Sequence, residues 1–130
     1  MDMRSLRSLN YNFNLGGVIH AMKLSKVFPL LVNKAVRKGR TPDEVYQVVH
    51  WLMGYERHDI ERMMEQDTDY RTFFEQAPAM NPYRHLVKGS ICGVRIEEID
   101  EPLMKDIRIL DKLIDELAKG KAVEKICSRK

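Results

Sequence analysis

From residue 24 onward the apolar positions recur with a helical beat, punctuated by start and stop signals. Leu24, Phe28, Leu31 and Ala35 share one face and predict a first helix over 25–38, with Pro29 near its first turn. Arg37 and Lys38 suit its C-terminal dipole and Gly39 stops it. Thr41-Pro42-Asp43-Glu44 is a capping box with proline at the first helical position. Val45, Val48, Val49 and Leu52 then form an apolar stripe that Gly54 ends. A short third helix is predicted over 56–65, with Ile60, Met63 and Met64 inward. A fourth is predicted over 68–77, where Tyr70, Phe73, Phe74 and Ala77 share a face, and Pro78 and Pro82 bracket the loop that follows.

Residues 83–99 carry two patterns. Val87, Ile91 and Val94 keep a helical beat, whereas Val94-Arg95-Ile96-Glu97 alternates like a strand and Gly89 and Gly93 weaken both. We favour a short helix, with a hairpin near 84–97 as the alternative. Asp100-Glu101-Pro102 then opens the longest helix, whose Leu103, Ile107, Leu110, Ile114 and Leu117 fall at spacings of four and three. Gly120 breaks it, and Ala122, Val123 and Ile126 support a final short helix. Residues 1–21 show neither period nor cap and read as a flexible N-terminal extension to a single helical domain, 22–130. A native start at Met22 is one reading of that contrast, with Gly16-Gly17 then being a translated ribosome-binding site. The expected fold is all-α, six to seven short helices around one core.

Composition narrows the function classes. A net charge of +3 argues neither for nor against a polyanionic partner. Two cysteines, Cys92 and Cys127, with no paired spacing, exclude a disulfide framework and read as reduced thiols in a cytoplasmic protein. No apolar run is long enough for a membrane span, and no secretory leader is visible. No nucleophile elbow, phosphate loop, dinucleotide fingerprint or metal-ligand spacing is present, so no catalytic residue, cofactor or metal is expected.

Four weaker features remain. Gly54 sits where a helix-turn-helix would turn, but His50 stands where that motif needs a small residue. Residues 56–69 also hold six acids against two arginines, which repels phosphate. Lys34, Arg37, Lys38 and Arg40 form a basic turn that could hold an anion or nucleic acid, or could only complement a helix end. Asn81, Arg84, Lys88, Cys92 and Arg95 could line a polar pocket for an anionic group, although Asn81 before proline also suits a backbone-bonding turn. The seam of the 103–117 helix either buries inside the monomer, against Val45 to Leu52 and Tyr70 to Phe74, or supplies a homodimer or partner surface.

Lys38-Gly39-Arg40-Thr41, Glu44-Val45, Trp51-Leu52 and Gly54-Tyr55 resemble the front of a bacterial family, domain of unknown function 2200. Phe73-Phe74, Ala77-Pro78, Asn81-Pro82, the run GSICGVR from Gly89 to Arg95 and the stretch from Asp111 to Ala122 are similar to its back half. The resemblance covers about 22–127 and implies no substrate, cofactor or catalytic residue. His50 departs from the small residue common at that place in the family. Together these readings point to a non-enzymatic cytoplasmic interaction or regulatory module. A nucleic-acid-binding domain and a small enzyme or anion-binding protein are the alternatives.

Overall fold

A computed structural model of the chain describes residues 16–130, with side chains from Ile19 onward. Seven α-helices are present among the described residues: α1 (Gly16–Ala21), α2 (Leu24–Val36), α3 (Pro42–Met53), α4 (Arg57–Glu65), α5 (Tyr70–Glu75), α6 (Pro102–Ala118) and α7 (Val123–Ile126). A two-stranded antiparallel hairpin, β1 (Ser90–Ile91) and β2 (Val94–Arg95), lies between α5 and α6, flanked by 3-10 turns at Pro82–Leu86 and Ile96–Glu98.

Helix α6 is the spindle of the molecule. Ile107, Ile109, Leu110, Leu113, Ile114 and Leu117 are all at most 1% exposed, so its apolar seam is spent inside this chain. Helix α2 runs along it, and α3, α5, α7 and the hairpin pack around it. Glu101 caps α6 by accepting the N–H groups of Leu103 and Met104. The second half of the core is aromatic. Phe73, fully buried, stacks on Tyr55 (centroids 4.9 Å, 6° between planes) and Tyr70 (5.9 Å, 13°) and meets Phe28 and Phe74 edge-on.

The capping box forms as read. Thr41 Oγ1 accepts the Glu44 N–H, and the Glu44 carboxylate accepts the Thr41 N–H. Arg40 grips the same carboxylate, at 2.7 Å from Nη2, so Glu44 is pushed down to about 2 by that guanidinium first and the Thr41 N–H second. Gly54 ends α3 in the left-handed region, φ 85°. The carbonyls that the helix end leaves free are taken by the loop before the 3-10 turn: Ala79 N–H donates to Met53, Asn81 N–H to Leu52, and Asn81 Nδ2 to Trp51. This docking brings Ala79 so near that a Cβ at position 54 would lie 3.0 Å from both its N and its Cβ. Gly54→Ala is therefore expected to cost more than about 1 kcal/mol, through backbone strain and displacement of the loop. A urea midpoint unchanged from wild type would refute this.

Three expectations are corrected. The favoured helix over 83–99 gives way to the hairpin, whose register pairs Ser90 with Arg95 and Ile91 with Val94. Its two-residue turn has positive φ at both Cys92 (54°) and Gly93 (82°), the geometry that fits the twist of paired strands. A non-glycine residue in that state gives no turn signal in sequence. Pro29 lies in the second turn of α2 rather than the first, on the exposed face, where water can reach the backbone group it leaves unbonded. The extension expected over 1–21 is in part helical: α1 buries Ile19 and packs on α5. His20 there lies 2.9 Å from Arg71 through Nδ1 and 2.9 Å from the Met104 sulfur through Nε2. The rest of that stretch, 1–15, lies outside the described residues. No helix among the described residues is long and apolar enough to cross a membrane.

Candidate functional site

The basic turn at the end of α2 divides in two. Lys34 reaches inward to Asp115 on α6 (3.4 Å), and Arg40 is held by Glu44. Only Arg37 and Lys38 stand exposed beside Gly39. The second group also disperses. Arg84 bonds Asp106 on α6 (2.9 Å) and the Asn81 carbonyl, while Asn81 serves the end of α3 and its own turn. Lys88 is exposed, and Arg95 pairs with Glu97 and Glu98. Cys92 is a half-buried free thiol at the hairpin tip. The helix-turn-helix comparison fails on packing: α4 rests chiefly on α2, whereas α3 packs on α2, α6 and α7.

Beneath the hairpin lies a polar centre that sequence reasoning missed. Arg108, 2% exposed, bonds Asp111 at 3.3 Å from one turn along the same helix. The Lys34–Asp115 pair lies on the same α2–α6 contact. Burial pushes Asp111 up to about 6, against the pull of the Arg108 and Lys34 charges. The Tyr70 hydroxyl, buried and without a hydrogen-bond partner among the described residues, is pushed well up by burial and then by the Asp111 charge. Burial also raises the Cys92 thiol, and likewise Cys127, so neither is activated as a thiolate nucleophile. The Lys34–Asp115 pair ties α2 to α6, and Lys112 Nζ on α6 donates to the Ser90 carbonyl of the hairpin at 3.1 Å. A helical pattern hides this centre, because Arg108 and Asp111 sit between seam positions that read as surface.

A cavity lies elsewhere, between α3, the turn into α4, and α7. It is an open cleft of about 680 Å³ lined by Asp43, Tyr46, Gln47, His50, Trp51, Tyr55, Glu56, Arg57, Val123, Glu124 and Cys127. Each wall follows from local structure. Val45, Val48, Val49 and Leu52 bury the inner face of α3, so Tyr46, Gln47, His50 and Trp51 fall on its outer side. Gly54 turns the chain so that Tyr55 drops into the core, its hydroxyl donating to the Phe73 carbonyl at 2.8 Å. Burial pushes the Tyr55 phenol up to about 12, so it stays a neutral donor. His50 Nδ1 lies 3.0 Å from the Tyr55 carbonyl, which only accepts, so Nδ1 carries a proton. The imidazole thus sits at the turn into α4, with the Glu56 carboxylate at the start of that helix 3.4 Å from the same nitrogen.

Arg57 closes one end of the cleft. Its guanidinium lies over the Tyr46 ring, 4.5 Å from the centroid, and bonds Asp43 (2.8 Å) and Glu61 (3.2 Å). The opposite wall is α7, anchored in the core by Val123 and Ile126 and tied to α6 by Arg129, whose Nη2 lies 2.7 Å from Glu116. The lining thus combines aromatic surface with three carboxylates, Asp43, Glu56 and Glu124, against one guanidinium already neutralised in place. Sequence inspection marked His50 and Trp51 singly. The cleft was invisible to it because its lining comes from three segments, each reading as the polar face of its own helix.

Among curated proteins none matches this sequence. Among solved structures, the crystal structure of uncharacterized protein SP1917 is similar at 48% identity and a TM-score of 0.79, over 83% of this chain and 88% of that one. The family described as an uncharacterized protein conserved in bacteria matches residues 18–128. The chain belongs to that family, domain of unknown function 2200.

Proposed function

We propose that this protein is a non-enzymatic binding module of the cytoplasm that takes a segment of a protein partner into the α3–α7 cleft. The observation carrying this reading is the cleft itself, an open recess with aromatic walls and a carboxylate rim, large enough for several side chains. Aromatic residues in such recesses supply binding energy at low entropic cost. The α6 seam, which could otherwise have met a second copy or another protein, is occupied within the chain and leaves the cleft as the better surface. Two free cysteines with raised thiols fit a reducing compartment and no nucleophilic chemistry.

Selection of displayed random peptides on the full chain tests this. Binders should perturb the emission of Trp51, the one tryptophan in the sequence. They should lose at least about tenfold in affinity for Gln47→Arg, which crowds the cleft from an exposed position. Failure to select a binder, or selected binders indifferent to Gln47→Arg, would refute the cleft as the interaction surface.

A further inference from the structure

We propose that the Tyr46–Asp43 end of the cleft is an arginine-reading subsite, which the protein's own Arg57 fills until an arginine of the partner exchanges with it. The inference rests on the reading of the cleft as the binding surface and names the chemistry recognised there. A guanidinium needs a flat π face and a carboxylate in the plane of its fork. Both are assembled here, with the Tyr46 ring 4.5 Å below and Asp43 at 2.8 Å. Arg57 shows that the subsite accepts this group, in the manner of a bound ligand.

Its hold is weak enough to yield. The Arg57 side chain is 51% exposed and its partners Asp43 and Glu61 are 76% and 49% exposed, so each ion pair is screened by water. Arg57 is also the first residue of α4, and its side chain can swing to Glu61 on its own helix without disturbing the core. An incoming arginine gains what Arg57 gives up. The rest of its peptide then has Trp51 and the Glu124 wall to contact. Charge favours this occupant, because three carboxylates face the cleft and its single guanidinium is the one being exchanged. A lysine matches less well: it presents a point charge without the planar fork.

The test uses the full chain at about 0.15 M salt, with Trp51 emission reporting titrations of hexa-arginine and hexa-lysine peptides. Wild type should prefer hexa-arginine. Arg57→Ala should bind hexa-arginine about tenfold tighter, with a smaller gain for hexa-lysine. Adding Asp43→Asn to Arg57→Ala should abolish the gain. Far-UV circular dichroism of each variant guards against a change of fold. Equal gains for the two peptides mean only a change in local field and overturn the inference, as does a gain that survives Asp43→Asn. If peptides bind wild type and Arg57→Ala alike, the exchange is wrong while the cleft remains the binding surface. If neither hexa-peptide binds either protein, the arginine subsite falls, and peptide selection then decides separately whether the cleft binds anything.

Discussion

Arg108→Met is expected to destabilise the fold by about 3–5 kcal/mol, the range for breaking a buried ion pair from one side. Arg108 is 2% exposed and Asp111 9%, and the methionine would keep most of the volume while removing the charge. The deficit should depend on pH. Asp111 in the native fold is already raised to about 6 by burial, against the opposing pull of Arg108. A carboxyl raised in the folded state contributes stability that is fully present below its ordinary value and is lost as pH rises through the folded value. In wild type that window runs from the ordinary value of 3.8 to about 6. Removing Arg108 moves Asp111 further upward, so the loss extends to higher pH. Urea denaturation at about pH 5 and about pH 7.5 should show the larger deficit at the higher pH. A deficit equal at both would mean that Asp111 is not the group left stranded.

The second large effect is expected at Phe73. Its ring is fully buried and contacts Phe28, Tyr55, Tyr70 and Phe74, so Phe73→Ala removes the hub of the aromatic cluster. The cost should be about 3–5 kcal/mol, a large share of the roughly 5–15 kcal/mol that holds an ordinary domain. The thermal midpoint should fall by on the order of 10–20 °C. Tyr55 floors the cleft and stacks on this ring, so the variant should also alter Trp51 emission below its melting temperature. A midpoint within about 3 °C of wild type would show that the cluster re-packs around the void.

These two sites mark what could and could not be read from the chain. Phe73 was legible: its spacing from Tyr70, Phe74 and Ala77 gives one face of a helix, and helical period reports burial directly. The capping box at Thr41 and the stop at Gly54 were legible for the same reason, since both act within a few residues of themselves. Arg108 and Asp111 were not, because a charged residue beside an apolar seam is ordinarily solvated. Only tertiary packing, with the hairpin lying over α6, encloses them. The hairpin segment reads both ways, and Cys92 gives no turn signal although it adopts a backbone state that usually calls for glycine or asparagine. Of the residues of the basic turn, Lys34 and Arg40 meet Asp115 and Glu44, and the Lys34 partner depends on which helix faces meet, which a linear pattern does not carry. The cleft escaped altogether, since α3 and α7 are joined only by the fold.

The position of α6 has a consequence for how the chain comes off the ribosome. Helices α2, α3 and α5 all bury apolar faces against a helix that ends at Ala118. During synthesis at roughly 5–20 residues per second, Phe28, Leu31, Val48 and Phe73 are translated well before Leu110 and Leu117 exist to cover them. The nascent protein therefore spends seconds as a string of sticky amphipathic segments, with its organising element still to be made. Its yield in a living cell depends on the surveillance of nascent chains during that interval as well as on the stability of the finished fold.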